Sequence, residues 1–335
     1  MSSAVAVETP QEVPTFLRGN ASAEQPPKPQ IAPKAVAKPK APSKLKAVDP
    51  KAAEPSKPKI LIFGKPGVGK TWTSLDFPSV YYIDTEGGAD LNHYTDKLKK
   101  AGGVYFGPEQ GSLDFNTVIE QLQALATEDH PYKTVVIDSI TKLFNLEIAN
   151  EAEKLGDKNA FGADKKPAIA CMRRLVNWLH RLDMNVILVA HEKPQWGTDA
   201  KGERAEIGVT FDGWDKLEYE LHLCLNILKT GDKRIAKVKK SRLQGFPDAS
   251  IFEWSFPNFA ERYGKDVIEK KSEKISLATP EQLSQLASLM EVVKLPDDQQ
   301  EKWFKAAGVS SFAEMDRDKI AKCIDYVKAK TVPAN

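Results

Sequence analysis

Eight residues, Gly64-Lys65-Pro66-Gly67-Val68-Gly69-Lys70-Thr71, limit this chain more than any other part of it. Their spacing is GxxxxGK[ST], and they stand between the apolar run Lys59-Ile60-Leu61-Ile62-Phe63 and a stretch able to form a helix. A buried strand, a glycine turn and a helix in that order is the setting in which this spacing cradles phosphates. The glycines let successive backbone N–H groups converge on phosphate oxygens with no side chain between, and the helix start adds a favourable field. Lys70 is expected to reach the β- and γ-phosphates and Thr71 to offer its hydroxyl to Mg²⁺, with Trp72 completing the nucleotide-binding set. ATP and Mg²⁺ are therefore the expected cofactors.

A magnesium site needs a second anchor, and Thr134-Val135-Val136-Ile137-Asp138-Ser139 is an apolar strand ending in a carboxylate, the form of a Walker B strand. Asp138 is thus the expected metal partner of Thr71. Hydrolysis also needs a group that orients or deprotonates water. Asp84-Thr85-Glu86-Gly87-Gly88 follows the apolar run Val80-Tyr81-Tyr82-Ile83, so its acids fall at the strand edge where ligands bind. Glu86 is the candidate general base, with Asp84 as the alternative. After the run Asn185 to Val189, His191 stands where a side chain can report the γ-phosphate.

Runs of this kind alternate with helical stretches at Phe115 to Ala126 and Ala168 to Leu182, which predicts a parallel sheet covered on both faces. Leu221, Leu223, Leu225 and Ile227 then alternate, Thr230-Gly231-Asp232 turns, and Ile235 to Lys240 returns, an antiparallel hairpin extending that sheet. The fold class read from these patterns is α/β, with an ATPase core over 57–268. Residues 1–56 hold ten of the 22 prolines and almost no large apolar residue. They are expected to form a disordered Pro/Ala/Lys-rich arm. A small helical domain is expected over 275–330, where Thr279 and Gln282 can form a capping box and Leu283, Leu286, Met290 and Val293 mark one face.

A net charge of +2 is too small to announce a nucleic-acid binder by itself. The cysteines, Cys171, Cys224 and Cys323, are too scattered for a zinc pattern or a disulfide framework, so a reducing cytoplasm is expected. No apolar run approaches the length of about 20 residues that spans a bilayer, so no membrane partner is expected.

With these residues in place the chain resembles the RecA-like P-loop ATPases. Within them it is similar to the phage-encoded proteins linked to single-strand annealing and recombination. The resemblance runs from about Lys59 to Trp254 and is carried by GKPGVGKT, YYIDTEGGAD, VVIDS, VILVAH and KVKKSR, in that order. It implies a RecA-like fold and ATP hydrolysis, with Glu86 activating water and His191 sensing the γ-phosphate and leading into a DNA-binding loop. Most relatives outside the phage group carry glutamine at that last position. It also implies a homo-oligomer, ring or filament, in which Lys239, Lys240 and Arg242 of one subunit act in trans on the next subunit's site. Two segments match the family's DNA-binding loops, about Gly156 to Pro167 and Gln195 to Gly213. There Lys158, Lys165, Lys166, Lys201 and Arg204 would meet phosphates, and Phe161, Trp196 and Phe211 would stack on bases. Asp157, Asp199 and Glu203 dilute that charge, as in ordinary surface loops.

The implied function is a DNA-stimulated ATPase acting on single-stranded DNA in phage recombination or annealing, with a single-strand-binding or other recombination protein as a possible partner. A RecA-fold helicase or loader-type replication ATPase would share every residue named. A nucleotide-gated interaction protein would not need Glu86, and a small-molecule kinase would need an arginine-rich lid that this sequence lacks.

Overall fold

The computed structural model of the protein describes residues 56–88, 92–160 and 162–331. The arm expected over 1–56 lies outside them except for Ser56, and so does Phe161. Runs of four or five apolar residues form strands here because neither face of a covered parallel strand meets water. The strands are Lys59–Gly64 (β1), Val80–Asp84 (β2), Val104–Phe106 (β3), Thr134–Asp138 (β4), Asn185–Thr198 (β5), Arg204–Phe211 (β6), Leu223–Thr230 (β7), Lys233–Ser241 (β8) and Ile251–Glu253 (β9). They lie in the order β3-β2-β4-β5-β1-β7-β8-β9, with β6 paired to β5 outside that row. From β3 to β7 the pairs are parallel, while β8 and β9 add antiparallel strands. The α/β class and the hairpin extension read from the sequence are both present. One strand, β5, separates the P-loop strand β1 from the acid-bearing strand β4.

The helices are Lys70–Ser74 (α1), Asn92–Lys100 (α2), Phe115–Thr127 (α3), Ile140–Leu155 (α4), Lys165–Arg181 (α5), Leu217–Glu220 (α6), Phe256–Tyr263 (α7), Lys265–Glu269 (α8), Pro280–Val292 (α9), Gln299–Ala307 (α10) and Arg317–Thr331 (α11). Alternate strand residues face opposite layers. Leu61, Phe63, Val135, Ile137 and Leu188 pack with Val118, Leu122, Leu143, Met172 and Trp178 from α3, α4 and α5. Ile60, Ile62, Val136, Ile187 and Leu225 pack instead with Leu75, Phe77, Trp254 and Phe259. Covering both faces leaves the strand ends as the place where polar groups can gather.

Three sequence expectations need correction. The segment from Gln195 to Gly213 is a β-hairpin, because β5 continues past the sheet to Thr198 and β6 returns beside it. Its apolar residues alternate as Ile207, Val209 and Phe211, which is strand periodicity, with burial growing from the exposed Ile207 to the buried Phe211 as the strand nears the sheet. Phe211 is only 2% exposed, with its ring 6.3 Å from that of Phe63, so it belongs to the core and cannot stack on a base. In the other segment a 3-10 turn, Gly156–Lys158, is followed by α5, whose first turn carries Lys165 and Lys166. Finally, α1 has only five residues, so its dipole is short and the backbone N–H groups of the loop dominate any phosphate grip.

Helices α9, α10 and α11 share a cluster of their own around Leu286, Met315, Ile320, Ile324 and Val327. Thr279 and Gln282 form the capping box that opens α9, and α10 stops at Gly308, which is left-handed with φ 69°. Two ion pairs tie this cluster to α5, Arg174 to Glu314 at 2.8 Å and Arg181 to Asp316 at 2.6 Å. Among the described residues no helix is long and apolar enough to cross a membrane.

Candidate functional site

Strand register brings the polar strand ends together along one edge. Gly64 pairs with His191, Asp138 with Val189, and Asp84 with Asp138. The loop after β1 borders a cleft of about 510 Å³ lined by Gly64, Pro66, Gly67, Lys70, Thr71, Glu86, Asp138, His191 and Glu192.

The loop turns through Gly67 (φ 75°) and Gly69 (φ 89°), a backbone region that L side chains rarely adopt. Lys65, Pro66 and Gly67 are exposed, while Val68 is buried and anchors the turn against Ile62 and Leu75. Lys70 Nζ folds back over the loop, donating to the carbonyls of Gly64 (2.8 Å) and Lys65 (3.0 Å). Burial lowers the Lys70 pKa, and Asp138, Glu86 and Glu192 oppose that shift. An ammonium held among three carboxylates stays available to a polyphosphate.

Thr71 Oγ1 donates to Asp138 Oδ2 at 2.6 Å, and Tyr82 OH donates to the same oxygen at 2.9 Å. Asp138 is 5% exposed, and burial pushes its carboxyl up to about 6, against the pull of the Thr71 and Tyr82 hydrogen bonds. A hydroxyl beside a carboxylate suits a small hard cation that keeps several waters and takes phosphate oxygens. Among the described residues no cluster of three or more His, Cys, Asp or Glu could hold a metal unaided. Thr71 and Asp138 are the residues able to hold one, with phosphate and water supplying the rest.

Glu86 and Asp84 have different surroundings. Asp84 is 1% exposed; its Oδ1 accepts from the N–H groups of Glu86 (3.0 Å) and Gly87 (2.8 Å), and its Oδ2 from Tyr105 OH (3.0 Å). It holds the turn that presents Glu86. Glu86 reaches into the cleft, where its Oε1 accepts from Ser139 Oγ and from His191 Nε2, the latter at 2.5 Å. His191 is itself fixed by its backbone, its N–H donating to Thr141 Oγ1 (2.9 Å) and its carbonyl accepting from Asp212 N–H (2.8 Å).

Other expected residues lie elsewhere. Lys239, Lys240 and Arg242 stand at the far end of β8 from the cleft, donating within their own chain to the carbonyls of Val209, Leu221 and Tyr219. Lys158, Lys165, Lys166, Trp196, Lys201 and Arg204 are exposed and distributed over the 156–158 turn, the start of α5 and the β5–β6 hairpin. Arg204 sits 5.0 Å from the Trp196 ring centroid.

Sequence reasoning passed over several neighbours of the cleft. Tyr82 looked like one more apolar strand residue, and only the register shows its hydroxyl on Asp138. Glu192 lines the cleft and its Oε2 accepts from Asn226 Nδ2 at 3.1 Å, a contact between residues 34 apart. Arg234 arrives from β8 beside Gly69, and no local pattern marks it.

A parallel sheet with a phosphate loop after one strand, an acid ending the next strand but one, and helices on both faces defines a P-loop ATPase of RecA-like fold. Residues 56–244, more than half of the chain, match the AAA_24 family, described as an AAA domain, and the protein belongs to that family. No curated protein sequence matches it. Two solved structures match it distantly. The crystal structure of the RadB recombinase is 18% identical with a TM-score of 0.36, over 60% of this chain and 88% of that one. A prototypical ATPase from the type III secretion system of pathogenic bacteria is 11% identical with a TM-score of 0.35, over 81% of each chain.

Proposed function

We propose that this protein hydrolyses ATP with Mg²⁺ and couples the reaction to single-stranded DNA, in recombination or annealing of a phage genome. The observation that carries the coupling is β5. One strand begins in the buried sheet, passes the cleft at His191 and ends in solvent in a hairpin where Arg204 lies over the exposed ring of Trp196. A cation and an aromatic face on one projecting element suit phosphate and base together.

The loop from Gly64 to Thr71, with Trp72 after it, binds the triphosphate, and Lys70 meets its β- and γ-oxygens. Thr71 and Asp138 hold Mg²⁺, which when bound neutralises charge on those oxygens. Glu86 takes the proton of the attacking water. His191 holds Glu86 in place and links it to the hairpin, which gives DNA a route to the base. Lys239, Lys240 and Arg242 supply cations to the next subunit of a ring or filament, a reading that suits their place at the end of β8 remote from their own cleft. Single-stranded DNA also meets Lys158, Lys165, Lys166 and Lys201, and a single-strand-binding or other recombination protein is a further partner.

The test is the ATPase rate with and without a single-stranded oligonucleotide, alongside fluorescence anisotropy over a salt series. Stimulation is expected, with affinity falling as salt rises. No binding at low salt, in either nucleotide state, removes the DNA reading. Trp196→Ala is expected to weaken oligonucleotide binding about tenfold, one stacking contact's worth; circular dichroism checks that the variant is folded, and unchanged affinity would clear Trp196 of the role.

The raised pKa of Asp138 gives a second test. Its folded value near 6 exceeds the unfolded value, so protonation favours the fold: that stabilisation is complete below about pH 4 and disappears as pH rises through 6. Metal binding needs the ionised form. Affinity for Mg²⁺–ATP is therefore expected to fall about tenfold from pH 7 to pH 5, read by titration calorimetry. Asp138→Asn should keep only the smaller part of that slope due to protonation of the nucleotide itself; equal slopes in the two proteins would remove Asp138 from the metal site.

A further inference from the structure

Beside the main cleft, on the side of the loop away from Glu86, lies a second pocket of about 260 Å³. It shares Lys70 and Thr71 with the cleft and adds Trp72, Tyr94 and Arg234. The two pockets differ in charge. Among the described residues, Glu86, Asp138 and Glu192 line the first with Lys70 as its only lysine or arginine, while no carboxylate lines the second. An anion bound along the loop therefore meets acids at one end and Arg234 at the other.

Arg234 is held in place from three directions. It is the second residue of β8 and pairs with Lys229 of β7. Its carbonyl accepts from Trp254 N–H at 2.8 Å, and Trp254 Nε1 donates to Thr73 Oγ1 of α1 at 2.6 Å, which ties the strand to the helix after the loop. Its guanidinium lies so close to the loop that a Cβ on Gly69 would overlap it. The nearby Lys97 is neutralised by Asp76 at 2.7 Å. Arg234 has no carboxylate partner among the described residues, and its Nε is buried with no hydrogen-bond acceptor. A buried guanidinium N–H is ordinarily paired; the Nε–H of Arg234, on a side chain that is otherwise half-buried beside an anion-binding loop, lacks its acceptor.

We propose that Arg234 is a nucleotide-binding residue whose guanidinium takes the α-phosphate of ATP and ADP, at the end of the loop opposite Glu86. This rests on the nucleotide reading above. With the γ-phosphate beside Glu86 and Asp138 and the chain of phosphates lying along the loop, the α-phosphate is the group that reaches the second pocket. Guanidinium only donates, and phosphate oxygens only accept, so the match needs no protonation change.

Titration of the full chain with Mg²⁺ and three probes, ATP, ADP and inorganic pyrophosphate, tests this. Arg234→Gln is expected to weaken ATP and ADP alike by roughly ten- to a hundredfold, the usual effect of a hydrogen bond to a charged group. Pyrophosphate, which fills only the β and γ positions, should stay within about twofold. Unchanged ADP affinity overturns the assignment, and so does a loss confined to ATP, which would put the guanidinium at the γ-phosphate. An equal loss of pyrophosphate binding also overturns it, since Arg234 would then only brace the loop. Should the Gln variant not fold, Arg234→Lys reads the same three affinities with a smaller loss of the same pattern. Failure of the wild type to bind any of the three probes defeats the nucleotide reading and this inference with it, whereas binding by the wild type with an unaffected variant defeats this inference alone.

Discussion

Glu86→Gln is expected to leave a protein that binds Mg²⁺–ATP normally and turns it over about 10²–10⁴ times more slowly, the range usual for removing a general base. The reasoning starts from Asp84. Its buried carboxylate caps the N–H groups of Glu86 and Gly87, so the turn that presents Glu86 is built without the Glu86 side chain. Glutamine has the size of glutamate and its carbonyl oxygen can still accept from Ser139 Oγ and His191 Nε2. What it cannot do is take a proton from water. Binding and chemistry therefore separate in this variant: calorimetry should give a wild-type affinity, while single-turnover phosphate release should be almost abolished. Normal turnover would take the base role from Glu86, and Asp84 could not inherit it, since both its oxygens are occupied in the interior.

The same residues show what could be read from the sequence and what could not. Strands buried on both faces appear as unbroken apolar runs, so β1, β2, β4 and the first part of β5 were legible, and with them the acids and the histidine that end them. The loop was legible because its glycines and Lys70 are local. Beyond Ala190, however, β5 leaves the sheet and its polar residues carry no burial signal, so the hairpin passed for a loop. The alternation of Ile207, Val209 and Phe211 was the available clue, and it would also have kept Phe211 from being taken for a stacking residue. Tyr82, Glu192 and Arg234 had no clue at all. Each meets its neighbours across register or across the sheet, and strand pairing between distant segments is not encoded at short range.

Lys70→Ala is expected to lower kcat/KM for ATP by about 10²–10³-fold, as when a single donor to developing charge is removed from a closed site, and unlike Glu86→Gln it should lose nucleotide affinity as well. In the proposed reaction Lys70 meets oxygens that are charged before, during and after bond breaking, so its removal is expected to raise KM and lower kcat together. The cleft makes the loss worse than the deletion of one contact. Lys70 is the cation that offsets Glu86, Asp138 and Glu192, and without it three carboxylates confront a polyphosphate. The apo loop is affected too, because the ammonium bridges the carbonyls of Gly64 and Lys65 at its mouth. Mg²⁺ would then be the main positive charge left, so residual binding should depend more steeply on Mg²⁺ than in the wild type. Calorimetric affinities across a Mg²⁺ series decide the matter. An affinity within about threefold of wild type would mean that the ammonium does not meet the phosphates, and the proposed chemistry of the cleft would have to be abandoned.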